Sequence, residues 1–591
     1  MKLRLLSLFL ALILACLPLA SCQPPLGADD TTPAVTATNP DESTPEVSTP
    51  DDPIPQSINI SAIIGEDTLL GDVYDSAMQI ADQIAALNKK PAPEILGASV
   101  AGEKDGAKII IGNTSYGKND SLTEILREKD GVLYRSGDDF FILGGVEGAM
   151  AAAGYFAENF ADVLAFDDGE AKYFYGDYTV RSISINGISL AKYSLVLPNS
   201  AGPYAAHEVK LFQEYIKELA GYDLPIYIDK NQTASEYEIL IGKTNRAESN
   251  TNVEFDDGQY SLSLDGSKVV CNGKNHMVGA GLSEILRVLP KDSTNVELNI
   301  DKTAKARTFV FDEAENAILM IGDGMGFNSV AATEKIGLID KFFAFDMTNL
   351  GESKTNSLSG TTDSAAGATA LSTGYKTTNG ALGLDGKGRP VLNLRELAYT
   401  MGAKTAVITT DSITGATPGA FLAHNTSRND TAGIQKHINE LIAKKHIEYC
   451  KGGLGNNLLT ELQTALGTIS ADGSNFFIML EEAQIDWASH SNDFNTMYQR
   501  VMRFNSVIAY GMAFTVMNPD TVMIVTADHE TGGIKYNSST DSYYYTTGSH
   551  SNANVPLCAM GAGTEIFNKA VENVEIAKFI AKIFGAQKFG Q

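Results

Sequence analysis

Basic residues and cysteine are scarce in this sequence, and each shortage excludes a class of function. The 591 residues include 45 Lys and Arg against 72 Asp and Glu, which gives a formal net charge of −27. Nucleic acid is therefore excluded as the main partner, and so is adsorption to anionic lipid by charge alone, because both need clustered cations. Five cysteines in a chain of this length exclude a disulfide-stapled scaffold. The length itself predicts several domains of roughly 100–200 residues each.

The N-terminus has the layout of a secretory signal. Lys2 and Arg4 precede an apolar run from Leu5 to about Leu19, which is too short for a comfortable membrane span of about 20 residues. The run ends in Leu-Ala-Ser-Cys, which resembles the bacterial lipobox and implies that Cys22 becomes an acylated N-terminus. We therefore expect a secreted protein that several acyl chains anchor to a membrane of the bacterial cell envelope, since one chain binds only marginally. Ordinary cleavage nearby, which would release a soluble protein, is the alternative.

The next segment, residues 23–57, is rich in Pro, Thr, Asp and Glu and contains no Lys or Arg. Such a sequence buries too little apolar surface to offset the entropy of ordering the chain. Proline and like-charge repulsion keep it extended. We expect a disordered tether that lifts the folded part away from the membrane.

Residues 58–300 contain two similar stretches. AKIIIGNTSYGKND at 107–120 parallels YEILIGKTNRAESN at 237–250, and DGVLYRSGDDFFILGG at 130–145 parallels DGQYSLSLDGSKVVCNG at 257–273. An amphipathic helix rich in small residues closes each of the two copies. The predicted plan is a strand, a helix, a strand, a hairpin and a closing helix, and this plan occurs twice.

No cluster of cysteines, histidines or paired carboxylates stands out in the sequence of this half. Its two histidines, His207 and His276, lie at predicted helix starts and are expected at the surface or as helix caps. The Ile-Gly-x-Thr segments resemble, weakly, the accessory α/β domains found beside bacterial carbohydrate-active enzymes. We expect a spacer or support for the second half of the chain, with glycan or cell-wall binding by residues 58–300 as the alternative.

Apolar runs typical of buried strands recur in the second half of the chain, and each ends in polar residues. The runs AILMI, TAVIT, FFIML and VMIVT are followed by Gly322-Asp323, Thr410-Asp411, Glu481 and Asp528-His529, respectively. Helical stretches at 393–402, 433–445 and 494–516 alternate with them. This pattern is typical of an α/β fold with a doubly wound, mostly parallel sheet. The functional crevice of such a sheet lies beyond the carboxyl ends of its strands, which is where these polar residues fall.

The carboxylates and imidazoles of this half form a set of candidate metal ligands without a thiolate. The set is Asp323, Glu481, Asp486, His490, Asp528, His529 and His550. Imidazole and carboxylate without cysteine suit catalytic zinc, or zinc paired with magnesium, better than a structural zinc site. Each residue alone is weak evidence, because an aspartate after a strand is usually a turn or a cap.

Six motifs of this half resemble those of the alkaline phosphatase family, in the family's order along the chain. They are ILMIGDGMG, TDSAAGATALSTGYKTTNGALGLD, GATPGAFLAHNTSR, MLEEAQIDWASHSND, VTADHETGG and GSHSNANVP, and the resemblance covers about residues 317–570. Sulfatases of the same superfamily fit worse, since their nucleophile is followed by x-Pro-x-Arg and Ser364 is followed by Ala-Ala-Gly-Ala.

The resemblance implies roles for particular residues. Ser364 corresponds to the nucleophile that forms a phosphoseryl intermediate, and Arg428 to the arginine that clamps the phosphate. Two zinc ions and a third, magnesium-type site are implied. Their implied ligands are Asp323, Asp528 and His529 for the zinc that activates Ser364, then Asp486, His490 and His550 for the second zinc, then Asp323, Thr417 and Glu481 for the third site.

One position departs from the family's pattern. The family commonly has Asp or His two residues before Thr417, and this chain has Gly415, which offers no side chain to a metal. We therefore expect two firm zinc sites and a third site that is weaker, differently filled or more hydrated.

Together these patterns predict five segments. They are a lipoprotein signal peptide at 1–22, the tether at 23–57, accessory α/β repeats at 58–180 and 181–305, and an alkaline phosphatase-like catalytic domain at 306–591. The resemblance implies hydrolysis of small-molecule phosphate monoesters, which releases inorganic phosphate outside the cytoplasm. The alternatives are a phosphodiesterase or other phosphoryl-transfer specialist with the same metals, and a glycan-binding surface lipoprotein. The oligomeric state is not predicted.

Overall fold

The computed structural model describes residues 59–102, 104–116, 126–290 and 294–590. These residues fall into two compact units, and the division lies between Asp177 and Tyr178. The predicted signal peptide with Cys22 and the predicted tether at 23–57 lie outside the described residues. None of the helices within the described ranges combines the length and the apolarity needed to cross a membrane.

The first unit contains a six-stranded sheet with helices packed against it. Its strands are β1 (Ile60–Gly65), β2 (Glu94–Gly97), β3 (Ala107–Ile111), β4 (Gly131–Ser136), β5 (Asp139–Gly144) and β6 (Ala171–Phe174), in the spatial order β2-β1-β3-β5-β4-β6. Its helices are α1 (Asp67–Asp72), α2 (Tyr74–Asn88), α3 (Val146–Glu158) and α4 (Phe160–Leu164). Successive residues of a strand point to opposite faces, so Ile109 and Ile111 join the core beneath the helices while Ile110 joins a smaller cluster on the other face.

The second unit begins with two further sheets. Its strands in chain order are β7 (Val180–Ile185), β8 (Ile188–Ser189), β9 (Ser194–Leu197), β10 (Ile226–Ile228), β11 (Glu238–Ile241), β12 (Gln259–Asp265), β13 (Lys268–Gly273), β14 (Thr294–Leu298) and β15 (Arg307–Thr308). The helices of this part are α5 (Pro203–Ala220) and α6 (Ala280–Arg287). The larger sheet has the order β10-β9-β11-β13-β12-β15. A separate three-stranded sheet has the order β14-β7-β8. Matched in chain order, the six strands of the larger sheet have the same arrangement as those of the first unit.

The remainder of the second unit is built on an eight-stranded sheet. Its strands are β16 (Asn316–Gly322), β17 (Asn349–Lys354), β18 (Lys404–Thr409), β19 (Tyr449–Lys451), β20 (Phe476–Glu482), β21 (Thr521–Thr526), β26 (Val555–Met560) and β27 (Ala570–Glu572), and the ribbons β22 (Glu530–Thr531) with β25 (His550–Ser551) and β23 (Lys535–Asn537) with β24 (Ser542–Tyr544) lie outside it. The spatial order is β19-β18-β20-β16-β21-β26-β17-β27. The first five of these strands are mutually parallel, and β26 is antiparallel to both of its neighbours.

Helices cover both faces of this sheet. They are α7 (Phe327–Lys335), α8 (Ser364–Thr373), α9 (Leu394–Thr400), α10 (Ala416–Leu422), α11 (Thr431–Ala443), α12 (Leu458–Ile469), α13 (Gln484–His490), α14 (Phe494–Met517) and α15 (Asn573–Ile583). Short 3-10 helices of the second unit lie at Leu190–Lys192, Asp229–Asn231, Ala247–Ser249, Asn275–Met277, Phe343–Asp346 and Thr564–Phe567. Alternate residues of β16 enter different cores, since Ile318 packs with α12 and α14 and Leu319 packs with α8 and α15. The predicted α/β class with a mostly parallel sheet is confirmed.

The sheet that contains β9 shares its core with the eight-stranded sheet. Asn518 Nδ2, just after α14, donates a hydrogen bond of 2.8 Å to Tyr215 Oη on α5, and the rings of His207 and Tyr510 lie 5.3 Å apart. One continuous hydrophobic cluster includes buried residues of both sheets. The domain boundary predicted at residue 306 stays a prediction, and the compact second unit runs across it.

The prediction that His276 lies at the surface or caps a helix is wrong. The side chain is 1% exposed, and neither ring nitrogen has a hydrogen-bond partner among the described residues. Burial lowers the pKa of His276 to about 4. The ring is therefore neutral in the folded protein near neutral pH. His207, on α5, is half-buried.

We expect His276 to make folding stability sensitive to acid. Because the unfolded histidine titrates near pH 6.5 and the folded one near 4, its contribution is complete above about pH 6.5 and is lost as the pH falls towards 4. As the pH falls from 6.5 to 4, the free energy of unfolding of the wild type should drop by about 3 kcal/mol more than that of His276→Met. Methionine keeps a similar volume and does not titrate. Urea unfolding at pH 7.5, 6, 5 and 4 measures this difference, and parallel curves for the two proteins would contradict the assignment.

Candidate active site

Parallel pairing brings the polar ends of three strands together. β16 lies between β20 and β21, in a register that places Ile321 opposite both Glu481 and Thr526. Asp323 follows β16 directly, and the Asp528-His529 pair follows β21. This is the edge of the sheet at which the sequence predicts a site.

The first group of candidate ligands consists of Asp323, Asp528 and His529. His529 Nε2 lies 3.2 Å from Asp528 Oδ2 and 3.5 Å from Asp323 Oδ1. All three side chains are at least nine-tenths buried. Asp323 Oδ1 and Asp528 Oδ2 have no hydrogen-bond partner within the described part of the chain. Since buried charges in proteins are paired or coordinate metals, this donor set fits a divalent cation.

The second group consists of Asp486, His490 and His550. Asp486 and His490 lie one turn apart on α13, and His490 Nε2 is 3.3 Å from Asp486 Oδ2. His550 Nε2 lies 3.0 Å from His490 Nε2. The Nδ1 atom of His490 is 2.7 Å from Gly548 O, and that of His550 is 2.8 Å from Thr362 O.

These backbone contacts determine which nitrogen of each ring is free to bind a metal. A carbonyl oxygen only accepts, so each Nδ1 must carry the hydrogen and each Nε2 presents a lone pair. Two lone pairs that face each other are repulsive unless a cation lies between them. Holding the outer ring nitrogen in this way is the usual support for a metal-binding histidine. The second group therefore also fits a metal.

Ser364 lies where the two groups adjoin. Its Oγ is 3.2 Å from His529 Nε2, and the side chain is almost fully buried at the first position of α8. Asp363 caps this helix by accepting from the Ala366 N–H. A Cβ at Gly367 would lie 2.9 Å from Asp528 O, so the small residues of α8 permit its close approach. The N–H groups of the first turn and the helix dipole favour an anion at this end.

Arg428 is held beside Ser364 by the residue that caps α8. Arg428 Nη1 lies 3.3 Å from Asp363 Oδ2, which also accepts from the Gly380 N–H at 3.0 Å. The guanidinium is about one-third exposed. An approaching anion therefore has access to its remaining N–H groups.

Thr417, a residue implied for the third site, lies near the second carboxylate oxygen of Asp323. Thr417 Oγ1, on α10, is 3.5 Å from Asp323 Oδ2. Glu481 is 1% exposed and accepts a hydrogen bond from the Thr409 hydroxyl. Burial raises the pKa of Glu481 to about 8, and the charge of Asp411 adds to the rise.

The electrostatics of the ligand groups favour a bound cation. Burial, with the charge of Asp528 adding to it, holds the pKa of Asp323 well above its usual range. Burial also raises the pKa of Asp528 and lowers that of His529 to about 3. The carboxylates are therefore reluctant to ionise and the imidazole reluctant to protonate, unless a metal compensates for the buried negative charge.

Two supporting residues were not predicted from the sequence. Asp363 positions Arg428, and the Thr531 hydroxyl donates to Asp486 Oδ1 and lies 3.2 Å from His529 Nδ1. Their only signal is position, because Asp363 directly precedes Ser364 and Thr531 follows His529 by two residues. Trp487, next to Asp486, is about half exposed.

Part of this chain is similar to known alkaline phosphatases. The family model described as alkaline phosphatase matches residues 314–461 and 455–547. Alkaline phosphatase 4 of Bacillus subtilis is 30% identical over 302 residues, which cover 40% of this chain and 66% of that protein. Alkaline phosphatase 3 of the same organism is 28% identical over 299 residues, which cover 39% and 64%. This chain thus spans slightly less than two thirds of both relatives.

A solved structure extends the comparison. The alkaline phosphatase from the Antarctic bacterium TAB5 is 30% identical, with a TM-score of 0.44, over 46% of this chain and 99% of that one. The matched part of the chain, residues 314–547, belongs to the alkaline phosphatase family, whose members are metal-dependent phosphoryl hydrolases. The matched ranges of the family model begin at residue 314, so the sheets before it lie outside the match.

We expect divalent metal to stabilise this protein, and more so at higher pH. Chelation with EDTA should lower the Tm by several degrees. For the metal-free protein the raised pKa of Glu481 gives stability that is present below about pH 4.5 and lost as the pH rises through 8. The Tm difference between zinc-loaded and metal-free protein should therefore grow between pH 6.5 and 8. Calorimetry on both forms tests this, and a Tm indifferent to chelation would contradict a metal site.

Proposed function

We propose that this protein is a phosphatase that hydrolyses small phosphate monoesters at alkaline pH, with Ser364 as nucleophile and a phosphoserine as intermediate. The observation that carries the proposal is the position of Ser364 Oγ, 3.2 Å from the Nε2 of His529, a residue of the first candidate ligand group whose ring also lies within 4.8 Å of ligand atoms of Asp486 and His550 in the second group. A hydroxyl at the junction of two metal-binding groups is the arrangement that in-line phosphoryl transfer requires.

The residues divide into three proposed metal sites. Zinc would be held by Asp323, Asp528 and His529 and by Asp486, His490 and His550, and magnesium by Asp323, Thr417 and Glu481. When bound, these cations lower the pKa of a hydroxyl and neutralise negative charge on phosphate oxygens. Imidazole and carboxylate ligands without thiolate suit catalytic zinc, and the hydroxyl and carboxylates of the third set suit magnesium.

Ser364 performs the covalent chemistry in this proposal. Its Oγ loses a proton and attacks phosphorus, while the bond from phosphorus to the ester oxygen breaks on the opposite side. The leaving alcohol takes up a proton. Water then attacks the phosphoserine from the vacated side, which restores the Ser364 hydroxyl and releases inorganic phosphate. The N–H groups of the first turn of α8 face the phosphate throughout.

Arg428 orients the phosphate. A guanidinium offers two parallel N–H donors to phosphate oxygens, which lysine cannot do. Asp363 holds one edge of the group, through Nη1, and so limits the orientations that the other edge adopts. The acidic chain thus presents a local cation at the place where an anionic substrate binds.

Replacing the nucleophile should separate chemistry from folding. Ser364→Ala should lower kcat/KM on 4-nitrophenyl phosphate by at least about 10³-fold, because no other group supplies the attacking oxygen. Its Tm should stay close to that of the wild type. Ser372→Ala is the matched control on the same helix, since it loses hydrogen bonds to two backbone carbonyls, those of Ala420 and Thr369, and should keep its activity. A phosphoenzyme that still forms in Ser364→Ala would overturn the assignment.

Zinc should restore activity to the EDTA-treated protein better than calcium, because calcium prefers oxygen ligands over imidazole.

Substrate preference distinguishes the monoesterase from the rival phosphodiesterase. The zinc-restored enzyme should prefer 4-nitrophenyl phosphate to bis(4-nitrophenyl) phosphate in kcat/KM. A strong diester preference would support the rival instead.

We propose further that the protein works outside the cytoplasm, anchored to the cell envelope through acylated Cys22. The support is the sequence layout of the N-terminus. Incorporation of labelled palmitate into the wild type and equally into Cys22→Ser would refute it.

For residues 58–300 we prefer a role as a support for the second half of the chain. Glycan binding is the alternative, and a glycan pull-down tests it.

A further inference from the structure

Position 415 does not need glycine for its backbone. Gly415 has φ −60° and ψ 170°, an extended conformation that any residue adopts. It is also the N-cap of α10, a position at which Asp, Asn, Ser and Thr are favoured. Backbone geometry and helix capping therefore both permit a side chain here, so the absence of one needs another cause.

A side chain at position 415 would meet the carboxylate of Asp411. A Cβ built on Gly415 would lie 1.9 Å from Asp411 Oδ2 and 2.7 Å from Asp411 Cγ. Cβ atoms do not approach other heavy atoms so closely. The Asp411 carboxylate therefore occupies the volume that a side chain at position 415 would fill, and the two cannot be present together without one moving.

Asp411 is fixed in this place by its neighbours. Its main-chain N–H donates to Thr409 Oγ1 at 2.9 Å, and the same hydroxyl donates to the Glu481 carboxylate. Gly453 N–H donates to the Asp411 carbonyl. One threonine thus ties the turn that carries Asp411 to Glu481, a fully buried residue of the proposed third site.

The two oxygens of Asp411 have different surroundings. Oδ1 accepts from the Ser412 N–H at 2.6 Å. Oδ2, the atom that lies in the volume of the missing side chain, accepts no hydrogen bond from the described residues. The oxygen of Asp323 that lies nearest Thr417 is Oδ2, 3.5 Å from Thr417 Oγ1. Asp411 Oδ2 is thus a carboxylate oxygen without a donor, beside the N-cap of the helix that carries Thr417 and in a turn that Thr409 ties to Glu481, and such an oxygen suits a hard cation.

We propose that Asp411 supplies the carboxylate that position 415 lacks, so that the magnesium-type site is held by Asp411, Glu481, Thr417 and Asp323. This inference rests on the proposed phosphatase function. The sequence leaves open a third site that is weaker, differently filled or more hydrated, and the inference selects the differently filled site. Magnesium keeps several water molecules in protein sites, so a carboxylate holds it directly or through one water. The glycine at 415 is then the space that the substitute ligand requires.

The competing account makes Asp411 a turn residue whose carboxylate serves only the Ser412 N–H. Asp411→Asn separates the two accounts, because the amide oxygen keeps that hydrogen bond and the charge is lost. The matched control is Asp472→Asn, which removes a carboxylate whose Oδ1 accepts from the Ser474 N–H in a turn outside the ligand groups. The exchange variant Asp411→Ala/Gly415→Asp moves the carboxylate to the position at which the family commonly has it.

The measurement is magnesium and zinc content after dialysis against graded magnesium, by mass spectrometry of the metals in the full-length protein. Wild type and Asp472→Asn should bind magnesium alike. Asp411→Asn should bind it about 10–100-fold more weakly with unchanged zinc, and the exchange variant should regain affinity. Equal magnesium affinity in Asp411→Asn and wild type would overturn the inference, as would an exchange variant that binds no better than Asp411→Ala or a wild type that binds none. Failure of the phosphatase proposal itself would show separately, as a zinc-loaded wild type that does not hydrolyse phosphate monoesters.

Discussion

Carboxylates buried beside one another repel, and in a water-poor interior the repulsion is large unless a cation compensates for it. This constraint governs the second half of the chain. Asp323 and Asp528 are almost fully buried, and each has a carboxylate oxygen without a hydrogen-bond partner among the described residues. The rise in the pKa of both groups has burial as its main cause. Such an arrangement is stable at alkaline pH only if something positively charged binds there.

The rest of the site follows from placing those carboxylates. The register of β16 with β20 and β21 fixes the spacing of Asp323, Glu481 and Asp528. The small residues of α8 bring Ser364 to the same place, and Asp363 joins the cap of that helix to Arg428. The net charge of −27 therefore describes the molecule as a whole and not the site, where the proposed metals and one guanidinium would reverse the local field.

Much of this half could be predicted from the sequence, because strand and ligand signals coincide. Apolar runs end at the ligand residues, and helices expected at 393–402, 433–445 and 494–516 lie at Leu394–Thr400, Thr431–Ala443 and Phe494–Met517. The features that were missed depend on contacts distant in the sequence. His276 was expected at the surface because local pattern does not report what packs over a short helix. The shared core of α5 and α14 was missed for the same reason, since a buried helix face does not identify its partner. Gly415 was interpreted as a lost ligand, and only the fold brings Asp411 into its space.

The central claim is that two groups of carboxylate and imidazole side chains hold catalytic zinc on either side of Ser364. Anomalous X-ray scattering from crystals of the zinc-loaded protein, measured above and below the zinc edge, tests it most directly. The account predicts one zinc peak bounded by Asp323, Asp528 and His529 and a second bounded by Asp486, His490 and His550. Crystals in which those side chains are ordered and neither group carries a zinc peak would contradict the account.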